Sequence, residues 1–340
     1  MEILIVDGSS NDGTREIVME EYARRYAFVQ LLDNPERITP VAMNIGIRNA
    51  KGEVLAIVGA HSTYDRLYLS ECVRHLKEYQ ADEVGASAMY IPGDNTLIGQ
   101  GIALALHHPF GAGANIGYKL GVKEPTWVDT VSSGCYRRDV FDRIGLFNEE
   151  LVRSQDNEFN CRIRRIGGKI LLVPTAVIRY YCRSDLRSFC KYNFGTGIWV
   201  IRSIFHSDIM PISWRHVVPF VFVSAFLVSG LVAAWNRLFL GLFLLIAASY
   251  LVLALLASLG IAFRRRDPRY LFAMPVVFGS LHFMYGLGSL WAAAKGVLTP
   301  RFWKRFFARR SKVAQLRAVD SKEVLLDAEN CKPSFERESS

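Results

Sequence analysis

Up to about residue 210, short continuous apolar runs alternate with runs in which apolar residues recur every three or four positions. The first pattern is typical of buried strands and the second of helices. The predicted strands are residues 2–6, 28–32, 54–58, 84–91, 128–132 and 169–173. The predicted helices are residues 12–23, 40–50, 67–79, 138–144 and 155–167. Residues 95–124 lack periodicity and predict a long active-site loop with room for a short helix.

This alternation favours an α/β fold with a mostly parallel sheet flanked by helices on both faces. Ligands of such sheets bind beyond the carboxyl ends of the strands. Asp7 ends the first predicted strand, and the loop of residues 59–65 follows the third. We therefore expect both to lie at the ligand-binding edge of the sheet.

Three uncharged apolar segments follow in the second half of the chain. They are residues 217–235, 238–263 and 271–294. Each is long enough to cross a hydrocarbon core, which needs about 20 apolar residues, and the polar pair Asn236 and Arg237 makes a hairpin of the first two. Buried helices of a soluble protein are the alternative. Because the third segment contains Pro275, it is predicted either to span the membrane or to re-enter it.

Residues 188–210 carry aromatic side chains among Lys and Arg, which is typical of a segment that lies on a membrane surface. A helix packed on the α/β domain is the alternative. The predicted organisation is an α/β domain (residues 1–187), this interfacial segment, membrane segments within residues 217–294, and a basic, then disordered tail (residues 295–340).

The formal net charge is +9, from 41 Lys and Arg against 32 Asp and Glu. Much of the basic charge flanks the apolar segments, around residues 264–269 and after Lys295, which is typical of the cytoplasmic face of a membrane protein and argues against nucleic acid. If the third segment spans the membrane completely, however, the basic residues after Lys295 lie on the side opposite residues 264–269, against this pattern. The six cysteines form no CxxC pair and no signal peptide is visible, so we expect free thiols and a cytoplasmic α/β domain at the inner membrane.

Two acids lie where chemistry is expected. Asp7, at the end of a strand, could accept hydrogen bonds from a nucleobase or ribose, or cap the turn that follows. Asp156 opens a predicted helix, whose dipole stabilises a carboxylate and suits a general base. Neutralisation of the helix end by Asp156 or Glu158 is the alternative.

Three basic residues are further candidates. His61 follows a strand and could ligate a divalent ion or serve as a surface residue. Arg162 and Arg165 share one helix face, which could bind phosphate or face solvent. The glycines form neither GxGxxG nor GxxxxGK[ST], so a dinucleotide fingerprint and a P-loop are excluded.

Four motifs, in this order, resemble those of family 2 glycosyltransferases. They are ILIVDGSSNDGT (residues 3–14), NP, NIG and AKGE (between residues 34 and 53), GCYRRDVF and IGLFNE (between residues 134 and 149), and QDNEFNCR (residues 155–162). The resemblance covers roughly residues 1–200. Within the family, the chain is most similar to bacterial exopolysaccharide (succinoglycan-type) glucosyltransferases, which also carry C-terminal membrane segments.

The resemblance implies a GT-A-like fold, a nucleotide-diphosphate sugar donor and transfer with inversion. Asp156 would be the general base. The nucleotide-sugar site would contain Asp7, Ser9, Asn44 and His61. The closing of the donor or acceptor site would involve Gly134, Glu158, Arg162 and Arg183.

Two departures from the family pattern stand out. The family begins with one more strand and helix, about 30 residues, whereas this sequence begins at the second strand. The metal-binding D-x-D triplet, or D-x-H in this branch, falls at Gly59, Ala60 and His61, so its first carboxylate is missing. Mg²⁺ or Mn²⁺ is the cofactor that the resemblance implies, with His61 as the remaining ligand.

The sequence thus predicts a membrane-bound inverting glycosyltransferase that moves a sugar to a polyprenyl-linked saccharide in exopolysaccharide or cell-surface glycan synthesis. The alternatives are a polyprenyl-phosphate glycosyltransferase and a degenerate scaffold that pairs with a complete synthase. Membrane lipid and other glycan-assembly proteins are the expected partners.

Overall fold

The computed structural model describes residues 1–112, 122–207 and 214–297. One compact unit comprises Met1–Ala292, and a second begins at Ala293. Part of the predicted long loop and almost all of the predicted tail lie outside the described residues. The strands are β1 (Ile3–Asp7), β2 (Val29–Asp33), β3 (Val54–Ala56), β4 (Ser62–Tyr64), β5 (Glu83–Ile91), β6 (Thr126–Trp127), β7 (Ser132–Arg137) and β8 (Ile170–Tyr181).

The helices of the α/β part lie between these strands, as the periodicity predicts. They are α1 (Thr14–Ile17, continued by the π-helical segment Val18–Ala23), α2 (Thr39–Asn49), α3 (Tyr68–Glu78), α4 (Leu97–His107), α5 (Pro109–Ala112), α6 (Arg138–Ile144) and α7 (Gln155–Arg165). The helices after β8 are α8 (Leu186–His206), α9 (Trp214–Val232), α10 (Arg237–Arg265) and α11 (Tyr270–Val297).

The described strands form two sheets. β1 and β2 pair in parallel, with Asp7 opposite Asp33. The others form a six-stranded sheet in the order β3-β7-β5-β8-β4, with β6 paired to β8. The predicted α/β class with flanking helices is confirmed, but this sheet is mixed rather than mostly parallel. β3, α3 and β5 form the predicted crossover unit, yet β7 inserts between the two strands and runs opposite to both.

Two strand predictions were misplaced. Of the strand predicted at residues 128–132, residues 128–131 connect β6 to β7, and only Ser132 belongs to a strand, β7. The strand predicted to stop before Pro174 continues to Tyr181. The pairing of β5 with β8 jumps from Val173 to Val177, so Pro174 falls in a bulge, where its missing N–H removes no ladder hydrogen bond.

The predicted long loop contains a well-formed helix, α4. The Thr96 hydroxyl accepts a hydrogen bond from Gly99 N at 3.0 Å and so caps the helix. The sequence LIGQGIALALH is apolar on nearly all sides, which is why it shows no amphipathic period. Ile102 and Ala105 of this helix are fully buried.

Helices cover both faces of the six-stranded sheet. On one face, α2, α6 and α7 pack over a cluster that includes Tyr136, Phe141 and Phe159. On the other face, Tyr68 and Leu76 of α3 pack on the neighbouring strands. Phe159 of α7 stacks on Phe147 at 4.3 Å between ring centroids and contacts Tyr136 of β7 edge-on at 5.5 Å, which fixes α7 against the sheet.

In the described chain, α10 and α11 are long and apolar enough to cross a membrane, whereas the apolar part of α9, His216–Val232, is shorter. In the most apolar window, only 6% of α10 is buried against 33% of α11. α10 therefore turns its apolar surface outward, and α11 packs inside the protein. α11 runs through Pro275 without interruption, and whether it spans the membrane or re-enters it stays a prediction.

The apolar helices pack directly on the α/β part. One hydrophobic cluster joins Ile102 of α4 and Phe189 of α8 to Met274 and Phe278 of α11. At the contact between α8 and α11, a Cβ on Gly197 would collide with the backbone oxygen of Tyr285. Glycine therefore allows the two helix backbones to touch, and α8 connects the α/β part to the apolar helices.

Candidate active site

Asp7 is buried where β1 runs into a turn, with an exposed fraction of 7%. Its carboxylate accepts hydrogen bonds from Ser10 Oγ at 2.5 Å, Ser10 N at 2.9 Å and Arg15 Nη1 at 2.8 Å. Ser9 turns the chain back with a left-handed φ of 58°. The bonds from Ser10 and Arg15 lower the pKa of Asp7 to about 2, so the carboxylate is ionised at neutral pH and its charge is paired with Arg15.

Arg15 also bridges the ends of the two parallel strands, because its Nη2 lies 2.7 Å from Asp33 Oδ1. Both the turn-capping and the ligand-binding interpretations of Asp7 agree with this geometry, since the carboxylate is already held in place. Its contact with a nucleotide stays a prediction.

The loop after β3 holds His61. Gly59 N donates to the Tyr64 hydroxyl at 2.7 Å, and the His61 ring packs edge-on against Tyr180 at 5.1 Å between ring centroids. Asp65, the nearest carboxylate that follows in the chain, accepts a hydrogen bond from Leu67 N at 3.1 Å. His61 is exposed.

The described residues do not fit the implied Mg²⁺ or Mn²⁺. No group of three or more His, Cys, Asp or Glu side chains that could hold a metal ion occurs among them. Hard divalent ions prefer several oxygen ligands, and Gly59 supplies no carboxylate beside His61. A metal role for His61 therefore lacks the partners that it would need in this part of the chain.

Gly134 lies in β7 beside two buried polar side chains. A Cβ on this residue would occupy the space of the Glu83 carboxyl group and the Tyr136 hydroxyl. Ser133, just before it, has a left-handed φ of 51°, and its carbonyl accepts a hydrogen bond from the Tyr68 hydroxyl at 2.6 Å. The absence of a side chain at Gly134 thus makes room for these groups, and its role in closing the site stays a prediction.

Asp156 lies in the first turn of α7, after Ser154, whose φ of 64° turns the chain into the helix. Burial raises the pKa of Asp156 to about 6. A carboxylate with a raised pKa is a better proton acceptor than an exposed one and is still ionised at neutral pH. This is the state that a general base requires.

A buried polar network, absent from the sequence predictions, lies beneath Asp156. With its amide oriented to suit all its neighbours, Asn160 donates to Glu83 Oε2 at 2.7 Å and to the Asp156 carbonyl at 3.2 Å. Its oxygen accepts from Thr130 Oγ1 at 2.7 Å. Glu83 is fully buried, and burial raises its pKa well above the usual value, with the Tyr136 hydroxyl bond acting the other way.

Glu83 was missed because its sequence context gives no signal. It begins an apolar strand directly after Asp82, where a charged residue ordinarily marks the exposed strand end. Glu83 is buried beneath α7, whose Asn160 contacts it although the helix is more than 70 residues away in the sequence.

Glu158 and Arg162 form a pair on the other side of α7, 3.0 Å apart. Arg162 also donates to the carbonyls of Ile144 and Leu146 at 2.7 and 2.8 Å. Ser207 Oγ donates to Glu158 at 3.2 Å. These contacts hold the turn after α6 and the end of α8 against α7, the helix that carries Asp156. Direct contact of Glu158 and Arg162 with the substrate stays a prediction.

Asn44 is buried in α2, with an exposed fraction of 1%. Its Nδ2 donates to the Phe147 carbonyl at 2.9 Å and to Glu149 Oε1 at 2.8 Å, and its Oδ1 accepts from Phe147 N at 3.0 Å. The described geometry makes Asn44 a clamp for this loop. Its contact with the nucleotide sugar stays a prediction.

Arg183 follows β8 and is exposed. Its guanidinium carbon lies 4.9 Å from the centroid of the Tyr192 ring in α8. The guanidinium carbon of Arg153, two residues before α7, lies 5.0 Å from the same centroid. Arg153 was not predicted from the sequence, although its position three residues before Asp156 could have drawn attention to it.

The fold thus combines an α/β sheet and flanking helices with an ionised carboxylate after β1 and a raised-pKa carboxylate at the start of α7. This is the architecture of a class of enzymes that bind polar ligands beyond the strand ends. Residues 1–145 match the profile of the family described as Glycosyl transferase family 2. Residues 1–145 are thus similar to family 2 glycosyltransferases, and the chain is a glycosyltransferase. The same match, together with the α/β architecture, confirms the predicted GT-A-like class.

Two curated relatives extend beyond that domain. The chain is 25% identical over 304 residues, 87% of its length and 88% of the relative's, to the dolichyl N-acetyl-alpha-D-glucosaminyl phosphate 3-beta-D-2,3-diacetamido-2,3-dideoxy-beta-D-glucuronosyltransferase of Methanococcus voltae. It is 29% identical over 223 residues, 64% of each chain, to the succinoglycan biosynthesis protein ExoA of Rhizobium meliloti (strain 1021).

Among solved structures, GalNAc-T7 with UDP, GalNAc and Mn²⁺ is similar, at 18% identity and a TM-score of 0.41. The similarity covers 54% of this chain and 38% of that one.

Proposed function

We propose that the protein is a membrane-bound inverting glycosyltransferase that moves a sugar from a nucleotide-diphosphate donor to a polyprenyl-linked saccharide, on the cytoplasmic side of the inner membrane. The observation that carries the proposal is the hydrophobic cluster that joins α4 and α8 to the apolar α11 within one compact unit. An active site built on such a unit lies close to the lipid surface, which raises the effective concentration of a lipid-linked acceptor. The names of both relatives, a dolichyl-phosphate sugar transferase and a succinoglycan biosynthesis protein, agree with such a substrate.

In the proposed step, the acceptor hydroxyl oxygen forms a bond to the anomeric carbon as the bond from that carbon to the donor phosphate breaks. The bonding electron pair leaves with the nucleoside diphosphate. Asp156 takes the hydroxyl proton, and Asn160 and Glu83 hold the start of α7 in position from below. Asp7 holds the nucleoside end of the donor. The step is written without Mg²⁺ or Mn²⁺, because the described residues do not assemble a site for either.

The test is transfer of labelled sugar from a panel of nucleotide-diphosphate sugars by the purified full-length protein in detergent, with membrane lipid extract or polyprenyl phosphate as acceptor. We expect the label in a lipid diphosphate that carries at least two sugars, with inverted configuration. Label only in a lipid monophosphate with one sugar would replace the proposal with the polyprenyl-phosphate alternative. Absence of nucleotide binding together with co-purification of another active transferase would favour the scaffold alternative.

The pKa of Asp156 gives this activity a defined pH dependence. Because burial raises that pKa to about 6, kcat should fall about tenfold per pH unit below 6 and level off above it. An initial-rate profile at saturating donor and acceptor, from pH 5 to pH 8, measures the inflection. A rate that stays flat down to pH 5 would mean that the base titrates as an exposed aspartate.

A further inference from the structure

The Tyr192 ring gathers two arginines that are far apart in the sequence. Arg153 and Arg183 each place the guanidinium carbon about 5 Å from the ring centroid, so the two charges are less than twice that distance apart. Arg153 also donates to the Tyr192 carbonyl at 3.2 Å. Gly195 leaves space for it, since a Cβ there would lie 3.1 Å from Arg153 Nη1.

In the described chain, neither arginine forms a salt bridge, although several other arginines pair with carboxylates. Arg15, Arg143 and Arg162 are examples. The two guanidinium groups share one ring and repel each other, and an anion that contacts both would offset that repulsion. Guanidinium groups match the oxygens of phosphates in geometry as well as charge.

The position of the pair connects it to the reacting groups. Arg153 lies three residues before Asp156, and Arg183 follows β8 directly. The pairing of β4 with β8 sets Ser62 opposite Tyr180, which brings the loop of Gly59 and His61 to the same end of β8. His61 contacts the Tyr180 ring at this end of the strand.

We propose that Arg153 and Arg183, held by Tyr192, bind the diphosphate of the nucleotide-sugar donor and supply the positive charge that the incomplete metal triplet at Gly59 and His61 does not. When the donor bond breaks, the nucleoside diphosphate gains one negative charge. The two guanidinium groups stabilise that charge by direct hydrogen bonds. The proposal rests on the proposed function, because it assigns a role in the same transfer.

The test is calorimetric binding of UDP, GDP and dTDP, and of the matching monophosphates, to the full-length protein in EDTA. We expect the wild type to bind one diphosphate in EDTA and to prefer it to its monophosphate. Arg153→Gln and Arg183→Gln should each weaken diphosphate binding about tenfold or more and leave monophosphate binding unchanged. Arg153→Lys and Arg183→Lys, which keep the charge, should recover part of the loss.

Arg202→Gln is the matched control. Arg202 lies in α8, as Tyr192 does, and its guanidinium carbon lies 5.2 Å from the centroid of the Trp199 ring. This variant removes the same charge and the same kind of aromatic contact away from the pair, and should bind like the wild type. A size-exclusion profile identifies any variant that fails to fold, and the Lys variants then carry the test.

Three outcomes would overturn the inference alone, and a fourth would overturn the proposed function with it. Unchanged diphosphate affinity in both Gln variants would remove the role of the pair, while the proposed function stands. Binding that disappears in EDTA and returns with Mn²⁺ would assign the charge to a metal. If the Gln variants bind diphosphates normally but lose affinity for vesicles that contain polyprenyl diphosphate, the pair binds the acceptor lipid instead. A wild type that binds none of the nucleotides would refute the proposed function itself.

Discussion

Asp156→Asn should lower kcat by about 10²–10⁴-fold, the usual contribution of a general base. Asn has nearly the same shape as Asp but cannot take a proton from the acceptor hydroxyl. Substrate binding should persist, so KM should change little while kcat falls. The measurement is steady-state transfer of labelled sugar by the purified variant, with nucleotide binding measured on the same sample.

Asp139→Asn is the matched control for this substitution. Asp139 is also an acid in the first turn of a helix, α6, but its side chain is 52% exposed and pairs with Arg137 and Arg143. Its loss should leave kcat within about twofold of the wild type and cost at most about 1 kcal/mol of stability. Equal activity of both variants would mean that Asp156 is a helix-end charge, as the alternative interpretation of the sequence holds.

The sequence predicted well those features that depend on neighbouring residues. Helical spacing gave α2, α3, α6 and α7 to within a few residues, because each buries one face on the sheet. Features that depend on distant contacts were missed. Examples are the direction of β7, the bulge at Pro174 and the apolar helix α4. Each depends on packing partners that are far away in the sequence, so the local spacing of apolar residues does not indicate it.

The candidate site divides in the same way. Asp7 and Asp156 were found because each lies at the junction of a strand or helix with a turn. Glu83 and Arg153 were not found, because their significance comes from α7 and from Tyr192, which the fold brings to them. The bonds of Asn44 to the loop at Phe147 were not predicted either, because that loop is about 100 residues away in sequence.

Glu83→Gln should become more stabilising, relative to the wild type, as the pH rises. Burial raises the pKa of Glu83 well above its usual value of 4.5, so the folded protein keeps this carboxyl protonated while the unfolded chain ionises it. The wild type therefore has this stability in full below pH 4.5 and loses it as the pH rises towards the folded-state pKa, by up to about 1.4 kcal/mol per pH unit. Gln keeps the shape and does not titrate.

The measurement is the apparent Tm of both proteins in detergent between pH 5 and pH 8, where the difference should grow in favour of Gln. Asp82→Asn is the control on the neighbouring residue. Burial acts to raise the pKa of Asp82, but the Lys169 N–H and Arg143 outweigh it and hold that pKa below the usual value. Asp82 thus stays ionised in both states above pH 5, and its variant should show a constant Tm offset over the same range.

The kinetic profile separates the two charge states of Glu83. A neutral Glu83 exerts no charge on Asp156, so Glu83→Gln should leave the inflection near pH 6 in place. An ionised Glu83 would repel the Asp156 carboxylate, and its replacement would then move the inflection to lower pH. Such a shift, together with a Tm difference that does not change with pH, would show that Glu83 is charged and that the network beneath Asp156 acts by electrostatic repulsion rather than by holding α7.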